Sequence, residues 1–184
     1  MPIWQAPLLE YLIFALVSFS TSLLATATLV NVTVDDSEIL NGSAAITYAP
    51  LTGWNNGADC ASCDARPDPS RTWGGTWHDS TYPGGGENHI LSASLIFNGS
   101  AIYVFCIISH STTKPSGNSN MTFFIDGGAV GGYFLAPSGS ETYDYNVLVY
   151  ANNSLTPGTH SLTVQNGAVG APKSLMLLDY IVYS

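Results

Sequence analysis

The chain has 184 residues, with 13 acidic and 4 basic side chains, a formal net charge of -9 and only 9% charged residues. That acidity repels phosphate backbones and excludes nucleic acid as a natural partner. The length suits one domain with a full hydrophobic core.

At the N-terminus, Leu12 to Leu24 is an apolar run interrupted only by Ser and Thr, and it leads into Ala25-Thr26-Ala27. A small-x-small triplet after such a run is the pattern that signal peptidase cleaves. The run is shorter than the roughly 18 residues that mark a membrane span. Cleavage after Ala27 is therefore expected, although the segment before the run has no Lys or Arg. It leaves residues 28–184 as a single domain of 157 residues (184 − 27) with no membrane span. Loss of Glu10 with the leader leaves 12 acidic against 4 basic residues, a net charge of -8. Five Asn-x-Ser/Thr sequons, at Asn31, Asn41, Asn98, Asn120 and Asn152, add the expectation of a secreted glycoprotein, extracellular or in a cell wall.

The rest of the chain reads as short strands. Leu29 to Val34 and Ala44 to Tyr48 are the first two. Gly53 to Asn88 breaks the pattern. It is long and rich in Gly, Pro, Trp and Asp, a stretch of the kind that is functional or hides short strands, with Trp73 to Asp79 as one candidate. Leu91, Ala93, Leu95 and Phe97 then alternate with Ser92, Ser94 and Ile96. Asn98-Gly99 follows and predicts a hairpin into Ala101 to Ile108. This second run is apolar at almost every position and reads as a central strand covered on both faces. Met121 to Asp126, Gly127-Gly128 and Ala129 to Ala136 predict a second hairpin. Alternation returns from Tyr143 to Tyr150 and from His160 to Gln165, and Leu175 to Tyr183 is the closing strand. No stretch repeats its apolar residues at helical spacing. Eight or nine antiparallel strands separated by turns predict an all-β fold, a β-sandwich or jelly roll.

The order of several short motifs resembles a family of secreted and cell-surface domains of basidiomycete fungi. The motifs are Val34-Asp35-Asp36-Ser37, Ile46-Thr47-Tyr48, Gly53-Trp54, Gly74-Gly75-Thr76-Trp77-His78, Phe97 to Val104, Phe124-Ile125-Asp126-Gly127, Pro157 to Val164, and Leu178-Asp179-Tyr180-Ile181-Val182. The resemblance covers the whole expected mature chain and implies a galactose-binding-domain-like jelly roll. It says little about function, because most such proteins are uncharacterised. Sugar-binding jelly rolls of related shape often carry a structural Ca²⁺ joining the first strand to the last. On that resemblance Asp35, Asp36 and Asp179 are candidate ligands, their oxygens suiting a hard cation. The alternative is a solvated Asp35-Asp36 turn and an ordinary hydrogen-bonded Asp179.

Cys60 and Cys63, with two residues between them, can close a small disulfide ring in an oxidising compartment. An unpaired state or a metal site completed by Cys106 with His78 or His110 are the alternatives. Cys106, inside an apolar run, reads as core. The aromatics of the long stretch, Trp54, Trp73, Trp77, His78 and Tyr82, together with Tyr143 and Tyr145, are candidates for stacking on sugar rings. Asn55, Asn56, Asp59, Asp79 and Asn88 could bond the hydroxyls. The competing reading is that these large rings simply fill the core. No Gly-x-Ser-x-Gly, His-Glu-x-x-His or phosphate-loop motif is present. The expected function is a non-catalytic extracellular module that binds a glycan or cell-wall polysaccharide, or mediates adhesion. A structural surface glycoprotein without a small ligand and a divergent polysaccharide-active hydrolase are the alternatives.

Overall fold

The structure is a computed structural model that describes residues 30–85 and 90–184. The expected signal segment and Asn88 lie outside the described residues. The protein is a sandwich of two antiparallel sheets. Six strands make the first: β1 (Val32–Asp35), β5 (Trp54–Asn56), β6 (His78–Tyr82), β8 (Ile102–Ser109), β11 (Tyr143–Asn152) and β13 (Ser174–Tyr183). Their order is β11-β8-β13-β6-β5, with β1 also paired to β13. Five make the second, in the order β10-β9-β12-β7-β4: β4 (Ile46–Ala49), β7 (Leu91–Gly99), β9 (Ser119–Ile125), β10 (Gly128–Leu135) and β12 (Gly158–Asn166). A small ribbon, β2 (Ile39–Leu40) with β3 (Ser43–Ala44), stands apart. No helix among the described residues is long and apolar enough to cross a membrane.

Period-2 alternation builds the core. Leu91, Ala93, Leu95 and Phe97 of β7, Leu162 and Val164 of β12, and Met121, Phe123 and Ile125 of β9 face Val104, Cys106 and Ile108 of β8 and Met176, Leu178 and Ile181 of β13. Each large side chain so buried contributes about 1.5–3 kcal/mol. The register of β13 slips between Leu178 and Tyr180. The inward set therefore changes from even residues, 176 and 178, to the odd residue 181. A bulge re-aims side chains in this way, and it turns Tyr180 to the outer face.

Three expectations are corrected. The strand count is thirteen among the described residues, because β5 and β6 were hidden in the Gly53 to Asn88 stretch and the short ribbon β2–β3 precedes β4. The strand placed at Trp73 to Asp79 begins only at His78, since Gly74 and Gly75 take positive φ and make a turn of the preceding segment. Asn98-Gly99 joins no hairpin: β7 pairs with β4 and β12 in one sheet, β8 with β11 and β13 in the other. The chain crosses between sheets there, held by Ser100 and Ala101 N–H groups that both donate to the Ser184 carbonyl. A Cβ on residue 99 would sit 2.5 Å from that oxygen, so glycine is needed for close approach rather than for a turn. The second expected hairpin forms, turning on Asp126 and Gly127, both at positive φ. The 8-residue strand β8 is covered on both faces only from Cys106 onward; Tyr103 and Phe105 remain partly open.

Candidate functional site

The outer face of the six-stranded sheet carries the features of interest, and a loop divides it. Residues 57–77 lie over one part. Ala65 and Trp77 pack on Ile107, Leu175 and Leu177, with Tyr143 and Tyr145 against their edge. Polar ties complete the clamp. Arg66 N–H donates to the Tyr143 hydroxyl at 2.9 Å and Asp68 N–H to the Tyr145 hydroxyl at 2.7 Å. The Arg66 guanidinium donates to the Cys60 and Ala61 carbonyls, and the Arg71 guanidinium lies 4.0 Å over the Tyr145 ring. Cys60 and Cys63 form the expected disulfide, and Cys106 is a free, fully buried core residue.

Beyond this loop the face is open. Trp73, 49% exposed, lies 5.2 Å from Tyr180, whose ring stacks on Phe105 at 4.5 Å and 11°. Tyr180 and Phe105 are cross-strand partners, and Phe105 is the partner of the exposed Leu148 on β11. Tyr180, Phe105 and Leu148 thus form a row across three strands, and Trp73 extends it from the end of the loop. At about 4.8 Å per strand the row is on the order of 15 Å long.

Beneath Trp73 is a seam. β1 pairs with residues 180–183 of β13 and β6 with residues 174–178, so both lie along the edge opposite β8. Asp179 falls in the gap, fully buried, with Trp73 N–H donating to its Oδ1 at 2.8 Å. Asp36 N–H donates to the Asp179 carbonyl. Asp36 is buried too. It accepts from Thr76 Oγ1 at 2.5 Å and Ser37 Oγ at 2.9 Å, and its Oδ2 lies 2.6 Å from His78 Nδ1. His78 stacks on Tyr48 at 3.9 Å, and Tyr48 donates to the Asp36 carbonyl. Asp35 Oδ1 and Asp179 Oδ2 are buried with no hydrogen-bond partner among the described residues. Burial, reinforced by the Asp36 charge, raises Asp35 to about 6. Burial raises Asp179 to about 7 against the opposing Trp73 hydrogen bond. Burial and the two Asp charges push the Tyr48 phenol well above its ordinary value.

A separate cavity of about 210 Å³ opens where the disulfide loop meets the 115–116 segment, with Asn55, Asp64, Asp79, Thr81 and Lys173 among its lining. Asp79 is 5% exposed, and burial raises it to about 6 despite the nearby Arg66 charge.

The sequence candidates therefore separate. Trp54, Trp77 and Tyr82 are interior rings, which corrects their assignment as stacking surfaces. Trp54 packs in the main core, Trp77 in the cluster beneath the loop, and Tyr82 is fully buried with its hydroxyl on the Gly85 carbonyl. Alternation along β5 and β6 turns Trp54 and Tyr82 inward. His78 is occupied by Asp36, while Asp79 points to the opposite face. Tyr143 and Tyr145 hold the loop rather than standing free. Asn55 is exposed at the cavity, and Trp73 keeps an open ring. Asp35, Asp36 and Asp179 do come together. Even so, no three His, Cys, Asp or Glu side chains among the described residues are arranged as a ready metal site. Tyr180, Phe105 and Leu148 were not among the candidates. The odd residues of the apolar run, Tyr103 and Phe105, were the available signal. The sequons divide as well: Asn31, Asn41 and Asn98 are exposed and Asn152 half-buried, but Asn120 is 8% exposed on β9.

The seam contains a Ser, a His and an Asp, but Asp36 lies between Ser37 and His78. In a nucleophilic triad the His is central, so the geometry is not that of a triad.

No protein-family model matches the chain, and no curated protein matches it. Among solved structures, the catalytic domain of Agl-KA is similar at 13% identity and a TM-score of 0.50, over 86% of this chain and 28% of that one. A family 35 carbohydrate binding module from Clostridium thermocellum aligns at 12% identity and a TM-score of 0.47, over 85% of this chain and 99% of the module. CBM35 from Paenibacillus barcinonensis aligns at 11% and 0.46, over 83% and 98%. At such identities the likeness is one of fold.

Proposed function

We propose that this protein is a non-catalytic carbohydrate-binding module whose ligand lies along the Trp73–Tyr180–Phe105–Leu148 row. The observation that supports it is the row itself. Three aromatic rings and a leucine line up across an open sheet face, where folding alone favours burying such groups. Aromatic faces suit the C–H faces of sugar rings, and a row of about 15 Å can underlie more than one ring. The net charge of -9 disfavours acidic polymers, so neutral polysaccharides are the first class to test. We read the chain further as a secreted glycoprotein of the fungal family it resembles. The Cys60–Cys63 disulfide and the exposed Asn31, Asn41 and Asn98 support an extracellular setting.

Affinity electrophoresis against a panel of soluble glucans, mannans and xylans tests the reading. Trp73→Ala and Tyr180→Ala should each weaken binding roughly tenfold or more, as the loss of an aromatic anchor does. Trp73→Ala keeps the backbone N–H that holds Asp179, so the seam remains tied. No retardation by any polysaccharide, or retardation unchanged in both variants, overturns the proposal.

A calcium ion at the seam is a second element of the reading, favoured by the unpartnered oxygens Asp35 Oδ1 and Asp179 Oδ2. Asp35, Asp36 and Asp179 would hold it, and it would neutralise carboxylates that burial now disfavours.

A further inference from the structure

We infer that the cavity beside Asp79 is a second ligand site, shaped for one small polyhydroxylated molecule the size of a single pyranose. It is separated from the aromatic row by the packed cluster of Ala65, Trp77, Ile107, Leu175 and Leu177, and the inference does not depend on that row.

The floor of the cavity carries the argument. Asp79 is almost wholly buried, accepts no hydrogen bond from the described residues, and has its carboxylate oxygens open only to the cavity. A desolvated carboxylate without donors is costly, and a ligand that brings donors removes that cost. The charged groups around it do not supply them. Arg66 lowers the cost from a distance, but its guanidinium is engaged with the Cys60 and Ala61 carbonyls. Asp64 repels. Lys173 lines the same cavity but is not among the charges that act on Asp79. Burial places Asp79 at about 6, so near neutral pH it is chiefly a carboxylate waiting for donors.

The lining selects the chemistry. Two carboxylates, Asp64 and Asp79, are too few for a hard cation, which takes six to eight oxygens, and an ammonium ligand would meet the Arg66 charge that already acts on Asp79. Adjacent hydroxyl groups fit best. Two can donate to Asp79 while their oxygens accept from Lys173 and Asn55, with Thr81 and Ser116 at the wall. Leu175, Ala65 and Pro115 are the apolar members of a lining that is mainly polar, as a ligand rich in hydroxyls requires. The volume, about 210 Å³, is below the roughly 300–1,000 Å³ of drug-sized pockets and suits one ring rather than a chain.

The test is a titration of ¹⁵N-labelled protein with the methyl glycosides of glucose, galactose, mannose and xylose, followed by amide shifts. We expect saturable shifts at Asn55, Asp79, Thr81 and Leu175 for at least one glycoside, with a Kd on the order of 1–10 mM for so small a ligand. Asp79→Leu should weaken that binding at least tenfold. Thr81→Trp, which fills the mouth from an exposed position and leaves Asp79 in place, should do the same, with thermal melts showing both variants folded. Trp73→Ala should leave it unchanged. Failure of every glycoside to shift the cavity amides overturns the inference, as does binding unaffected by both cavity variants. Shifts confined to Trp73, Tyr180 and Phe105 overturn it while supporting the row as the glycan surface. Loss of polysaccharide retention with cavity binding intact would have the opposite meaning.

Discussion

Asp179→Asn should stabilise the protein at neutral pH in the absence of divalent cations. Asp179 is fully buried, and its carboxyl rises from the ordinary 3.8 to about 7, chiefly through burial. A raised carboxyl means that the folded chain holds its proton more tightly than the unfolded chain does. Stability is then highest at acid pH and falls as pH climbs through the window from about 4 to about 7. A shift of about 3 units corresponds to roughly 4 kcal/mol. Asparagine keeps the oxygen that accepts from Trp73 N–H and removes the charge. Its amide still has a desolvation cost, so about half of that energy, roughly 2 kcal/mol, should be recovered. For a chain of this size that is a rise in Tm of about 4–8 °C. The assay is thermal unfolding in EDTA at about pH 7.5 and about pH 5. Wild type should melt higher at the lower pH, and the advantage of the variant should shrink there. A variant that melts below wild type at the higher pH in EDTA, or a wild type that gains nothing on acidification, refutes the reasoning. Adding calcium extends the same experiment. If the ion occupies the seam, wild type gains Tm with calcium and the variant loses most of that gain; no gain in wild type removes calcium from the account.

Two further outcomes follow from packing and charge. Gly57→Ala would place its Cβ 1.9 Å from Nε1 of the buried Trp77, so overpacking should cost about 1–3 kcal/mol, read as a lowered urea midpoint. His160 lies 2.7 Å from the Thr156 carbonyl and 2.7 Å from Asp126, at the turn between β9 and β10. That carbonyl and carboxylate raise its pKa, and His160 in turn lowers Asp126. Its contribution is therefore complete below the ordinary histidine value of about 6.5 and lost as pH rises through the folded value. The Asp126 contribution is present above the ordinary carboxylate value and lost as pH falls through its depressed one. His160→Gln should accordingly lower Tm most near pH 5–6 and least above about pH 8. An equal loss at both ends would show that His160 acts by packing alone.

Alternation in Leu91 to Phe97 and in His160 to Gln165, the Asp126-Gly127 turn, and the spacing of Cys60 and Cys63 are local properties. Each is set by residues within a few positions of one another, and together they determined an antiparallel sandwich with a clasped loop. What a run of residues does not carry is the partner on its other side. Asn98-Gly99 looks the same whether the following strand folds back or crosses to the opposite sheet; the Ser184 carbonyl, from the far end of the chain, decided that. Trp54 and Trp73 are equally aromatic, and only the placement of β5 and of the loop turned one into core and left the other open. Ala101 to Ile108 reads as apolar on both faces, yet loop 57–77 covers its second half alone, leaving Phe105 to meet Tyr180. The slip in β13 sends Tyr180 outward and buries Asp179 at the gap between β1 and β6. Strand formation could thus be read from the sequence because its period is local. Which face meets water was a tertiary decision, because it depends on contacts between segments distant in the chain.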